Sequence, residues 1–111
     1  MRRSVERKNR SAPRNKRRWI GVLAEYDALP GMSQKASPTR EPVTPDAPGH
    51  ACGHSGWGTG TLGAVLAVKA AMQKHHLKGT IRLYGTPAEE TLIGKVYMTL
   101  AGVFDDLDVC L

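Results

Sequence analysis

The clearest feature of the chain is a change of hydrophobic period. Residues 19–26, WIGVLAEY, form a nearly unbroken apolar run, with basic residues before it and Asp27–Pro30 after it. A short apolar run between polar breaks predicts a strand covered on both faces, as in parallel sheets. Further on the spacing lengthens. Leu62, Val65, Leu66, Lys69, Met72 and Gln73 trace one side of a helix over residues 59–77, and Ala64, Ala67, Val68 and Ala71 widen its apolar face. Thr59 or Thr61 could cap it. His75, His76 and Lys78 lie near its end, where positive charge suits the helix dipole, and Gly79 stops it. Thr80–Tyr84, TIRLY, alternates and predicts a second strand, Pro87–Glu90 a turn, and Ile93–Ala101 a shorter helix closed by Gly102. Leu107–Leu111 predicts a third strand.

Strand, helix, strand, helix, strand implies an α/β fold with a mostly parallel sheet and right-handed crossovers. Between the first strand and the first helix lie residues 27–57, which hold most of the chain's prolines and four glycines. Loops of this length are usually functional or disordered.

Charge divides the chain in two. Residues 1–18 carry nine Lys/Arg against one acid, Glu6, whereas the other 93 residues carry seven Lys/Arg and nine acids, a net of −2. The overall +6 therefore belongs to the first segment. With Val5 as its one buried-type residue, that segment cannot offset its ordering entropy and is expected to be a disordered basic tail. An arm for nucleic acid is its functional reading, but no aromatic is interleaved before Trp19, so a solvated extension without nucleic-acid binding is preferred.

With 111 residues, one domain at most is expected, here residues 19–111. A composition of 41% hydrophobic but only 5% aromatic residues suits an α/β segment better than an aromatic β-sandwich. No apolar run approaches the ~20 residues of a membrane span, and no signal-peptide core follows Met1. Cys52 and Cys110 are too few for a disulfide framework. Cytoplasmic residence with reduced thiols, and no membrane partner, is the expectation.

The candidate chemistry sits in three places. In Pro48–Leu62, PGHACGHSGWGTGTL, Cys52-Gly53-His54 pairs a thiolate and an imidazole, both zinc ligands. In an extended segment both side chains could point the same way; alone this pair is a weak signal. His50 would crowd the centre as a third ligand and reads as a residue behind the ligands or of the loop. Pro87-Ala88-Glu89-Glu90 offers two carboxylates at the carboxyl end of the second strand, where parallel α/β sheets place their sites. One could ligate a metal and the other handle a proton, or both could simply favour a helix dipole. Asp27 follows the first strand and could orient a ligand histidine, or initiate a turn. His75 and His76 read as solvated helix-end residues, and Cys110 as a buried core thiol.

Four segments taken together, EYDALPG, PGHACGH, GTIRLYGTPAEE and GKVYMTLAGVFDDLD, resemble the amidohydrolase branch of the aminoacylase/carboxypeptidase-type zinc peptidases over roughly residues 20–111. The resemblance implies part of a three-layer α/β catalytic domain. It also implies hydrolysis of amide bonds in small N-acyl or aminobenzoyl amino acids or dipeptides, two divalent ions (zinc or manganese), and a homo-oligomer of the full-length protein. Carried over by position, Cys52, as the bridging residue, His54 and Glu90 would be metal ligands and Glu89 the general base. Two departures stand out. Ser55 occupies the position after C-G-H where the family usually has Asp or Asn, and the family's further histidine ligands come from segments beyond Leu111. The chain therefore reads as an N-terminal piece of the catalytic domain, inactive alone. The alternative is a non-catalytic remnant that binds metal weakly or associates with another subunit.

Overall fold

A computed structural model describes residues 17–111, so the expected basic tail lies almost wholly outside the described residues. Strand β1 runs Trp19–Glu25, helix α1 His54–Lys74, strand β2 Thr80–Thr86, helix α2 Gly94–Leu100 and strand β3 Val109–Cys110. A single 3-10 turn, Glu89–Thr91, separates β2 from α2.

The three strands form one parallel sheet in the order β2-β1-β3. The register pairs Trp19 with Thr80 through Glu25 with Thr86, and Ile20 with Val109. The apolar run of β1 thus occupies the central strand, where both backbone edges find partners. Beyond the short β3, Leu111 continues the pairing through Leu23 N–H to Leu111 O (2.8 Å) and Leu111 N–H to Gly21 O (2.9 Å).

Side chains alternate across the sheet. On one face Ala24, Leu83 and Gly85 line a groove together with Gly58 and Leu62 of α1. On the other, the Arg82 guanidinium lies 4.1 Å over the Trp19 ring and pairs with Asp106 at 2.9 Å. Tyr84 meets Phe104 edge-on, their centroids 5.3 Å apart. The segment between α2 and β3 therefore covers the face opposite α1, which gives three layers, the last made of loop. The α/β class and parallel sheet agree with the sequence.

Burial is shallower than the apolar run suggests. The described residues span 57 × 50 × 17 Å, a thin slab. Ala24 is the buried hydrophobic residue, and most of β1 is only half-buried. Leu66 of α1 and Leu100 of α2 are 55% and 78% exposed. The expectation of a strand sealed on both faces is corrected accordingly.

Candidate active site

Acidic and metal-competent side chains converge at the carboxyl ends of β1 and β2. Glu25 is the last residue of β1, and Asp27 follows two positions on. Glu89 and Glu90 occupy the turn after β2. His54 opens α1 and is buried, at 6% exposure.

The start of α1 departs from expectation. Gly53 takes φ 87°, a left-handed conformation open to glycine, and stands as the N-cap. The chain swings into helical geometry there, so α1 begins at His54, five residues before Thr59. Thr59 is no cap; its Oγ1 donates to the Ser55 carbonyl one turn back, at 2.7 Å. Cys52 and His54 are consequently not an extended pair. A glycine turn followed by the first helical residue brings them together. The helix ends at Lys74, with His75 as its cap, so the spacing starts it five residues late and runs it three residues too far.

Two tight features hold the carboxylates. Ala88 and Leu92 flank the 3-10 turn with φ 58° and 60°, a left-handed conformation costing roughly 1–2 kcal/mol per residue. A Cβ on Gly94 would lie 1.7 Å from the Pro87 carbonyl oxygen. Glycine there lets α2 start directly against the Pro87–Glu90 segment.

Asp27 ties the site together. Its Oδ1 accepts from His54 Nδ1 at 3.1 Å, and its Oδ2 accepts from the Glu90 backbone N–H at 3.1 Å. A carboxylate only accepts, so Nδ1 carries a proton, and in the neutral ring that binds a metal Nε2 presents its lone pair. Around that nitrogen stand Glu25 Oε2 at 3.5 Å, Glu89 Oε2 at 3.8 Å and Glu90 Oε1 at 3.8 Å. These separations are long for hydrogen bonds. They match the spacing, about 3.3–3.8 Å, of two ligands each 2.0–2.3 Å from a tetrahedral ion. Glu90 Oε1 is buried without a hydrogen-bond partner among the described residues, an arrangement that disfavours a bare carboxylate unless a cation meets it.

Two groups offer donor atoms that all lie within 4.8 Å of one another: Cys52, His54 and Glu90, and Glu25, His54 and Glu89. The residues present therefore fit a divalent ion.

The charges shape protonation. The Glu90 N–H, and secondarily His54, hold the Asp27 carboxyl below its usual range. Burial pulls His54 down, but its bond to Asp27 and the charges of Asp27, Glu25 and Glu90 outweigh this and raise it. The Glu90 carboxylate, with Glu89 and Glu25 behind it, pushes the Cys52 thiol up. A cation reverses these last two effects.

All five residues singled out from the sequence, Asp27, Cys52, His54, Glu89 and Glu90, meet in one place. His50 lies exposed beside them, in a groove of about 450 Å³ shared with Tyr26, Ser55 and Leu62. His75 and His76 are exposed and remote in sequence from the site. Cys110 is exposed, not the buried thiol expected, because β3 lies at the sheet edge. Glu25 was not anticipated. Its signal was its place two residues before Asp27, at the carboxyl end of β1.

The same segments connect the chain to known proteins. The sequence model of peptidase family M20/M25/M40 matches residues 21–110. The chain is 47% identical over 95 residues to one of the subunits of the p-aminobenzoyl-glutamate hydrolase of Escherichia coli, covering 83% of this chain and 19% of that protein. It is 34% identical over 92 residues to the Xaa-Arg dipeptidase of Mus musculus (81% and 18%). It is 38% identical over 100 residues to an IAA-amino acid hydrolase of Arabidopsis thaliana (83% and 21%). The chain thus spans about a fifth of the length of these relatives. No solved structure gave a significant match. No helix among the described residues is long and apolar enough to cross a membrane.

Proposed function

Because the chain belongs to peptidase family M20/M25/M40, a family of hydrolases, we propose that residues 19–111 are part of the catalytic domain of a metal-dependent amidohydrolase. Its substrates would be N-acyl or aminobenzoyl amino acids or dipeptides, a class suggested by the names of its relatives. The observation that carries this reading is His54 Nε2, buried and aimed between Glu90 Oε1 and Glu89 Oε2.

Cys52, His54 and Glu90 would hold a divalent ion, zinc or manganese, which when bound supplies Lewis acidity toward the scissile carbonyl. Asp27 fixes the tautomer and tilt of His54 through Nδ1. The same carboxylate anchors the Glu90 backbone, so both ligand segments are set by one residue. Glu89, adjacent to Glu90 yet pointing its own oxygen at the same centre, takes a proton from the attacking water and returns it to the leaving amine. Three ligands serve one ion better than the two of the whole family site, so the whole protein, as a homo-oligomer, is the active species in this reading. The unpaired thiols of Cys52 and Cys110 fit a reducing compartment, the cytoplasm.

The test is hydrolysis of aminobenzoyl-glutamate and N-acetyl amino acids by the zinc-loaded whole protein, wild type against Glu89→Gln. The variant should keep its metal and lose turnover; loss of the metal instead would make Glu89 a ligand. A second reading, a non-catalytic piece that binds metal and associates with another subunit, draws on exposed apolar side chains such as Leu92 and Leu100. It would show as bound zinc without hydrolysis.

A further inference from the structure

The two donor groups of the site share one atom, His54 Nε2. An ion held through that nitrogen can take Cys52 and Glu90 as its further protein donors, or Glu25 and Glu89. The choice has chemical weight. In the second arrangement the thiolate is unused and Glu89 becomes a ligand, so it is no longer free to move a proton.

Lys95 bears on that choice. Its ammonium pairs with Glu25 Oε1, while Glu25 Oε2 faces His54. The pair is semi-buried, with side chains 35% and 23% exposed, so water screens it only in part. Lys95 is the lysine or arginine seen paired to a carboxylate of the site among the described residues. Its position is built in: Gly94 permits the contact with Pro87 that starts α2 over the site, and Lys95 is the next residue.

Charge counting gives the same answer. Glu25, Asp27, Glu89, Glu90 and a Cys52 thiolate bring five negative charges to one small volume. Asp27 is committed to His54 and the Glu90 N–H. An ammonium on Glu25 removes a second carboxylate from competition for a cation, because neutralising it weakens its pull on the ion.

We propose that Lys95 is a positioning residue that selects between the two overlapping ligand groups. By holding Glu25, it leaves Cys52, His54 and Glu90 to the ion and keeps Glu89 free as the base. This inference rests on the metal-site reading above.

Cobalt(II) added to the full chain tests it, since a thiolate ligand gives a charge-transfer band that carboxylates do not. Wild type and Lys95→Arg are expected to show the band. In Lys95→Met the freed Glu25 draws the ion toward itself and Glu89, and the band per bound cobalt should fall by about a factor of two or more. Adding Glu25→Gln to Lys95→Met should restore it, which a merely structural role of Lys95 would not do. An undiminished band in Lys95→Met, with cobalt still bound, overturns the role of Lys95 and leaves the metal site standing. Loss of the band in Glu25→Gln alone also overturns it, by making Glu25 a ligand. Wild-type protein that binds no cobalt overturns the metal-site reading, and this inference with it.

Discussion

Asp27 Oδ1 sits 3.1 Å from His54 Nδ1, joining the end of β1 to the first residue of α1 across 27 positions of sequence. Its other oxygen holds the Glu90 N–H. One side chain therefore sets the geometry of two of the three proposed ligands.

Asp27→Asn should uncouple them. An amide can keep one acceptor, but it presents N–H₂ on its other side, against either Nδ1–H or the Glu90 N–H. Loss of such an outer partner typically costs 10–100-fold in metal affinity. Competition against a chelator of known zinc affinity measures it, and an unchanged affinity would remove Asp27 from the site.

The pH dependence of the metal-free chain follows from two opposite shifts. His54 is raised above its ordinary 6.5, so its contribution to stability is complete below about pH 6.5 and is lost as pH rises through the raised value. Asp27 is lowered from 3.8, so its contribution is present above that pH and is lost as pH falls through the lowered value. Between these limits the metal-free chain should be most stable, with a lower Tm toward pH 8. Zinc needs deprotonated ligands, so the Tm gain on adding zinc should instead grow with pH. Thermal melts at about pH 5.5 and 8, with and without zinc, check both signs.

Glu90 raises the Cys52 thiol. In the metal-free Cys110→Ser background, Glu90→Gln should therefore speed alkylation of Cys52 near neutral pH, because the thiolate is the reacting form. A gain of a few-fold is expected. An unchanged rate would separate the two side chains.

Gly94→Ala places a methyl where the Pro87 carbonyl stands. Backbone must move, and overpacking of this kind costs about 1–3 kcal/mol. The Tm should fall, and zinc affinity with it, since the same shift displaces Glu89 and Glu90. A fall in Tm with intact zinc affinity would show that the turn moves independently of the site.

Much of this arrangement was legible in the sequence, for identifiable reasons. The apolar run of β1 and the alternation of TIRLY mark strands because sheet periodicity is local. Gly102, at φ 74°, closes α2 as its position after Ala101 suggested. The start of α1 was missed because Gly53 enters the helix through a left-handed turn, leaving no Ser or Thr cap to read. Gly56, Gly58 and Gly60 further disguise the first turns. Glu25 was hidden inside an apolar strand pattern, and its pairing with Lys95 spans 70 positions. Which lysine reaches the site is decided by the Gly94 contact, a tertiary fact. The exposure of Cys110 depends on β3 being an edge strand, which its apolar neighbours do not reveal.

The proposed function requires that Cys52, His54 and Glu90 together hold a divalent ion. Elemental analysis of zinc in the purified full chain, beside Cys52→Ala, tests it most directly. Close to one zinc per chain is expected in the wild type, with a sharp fall in the variant. No zinc in the wild type, or the same zinc content in both, would contradict it.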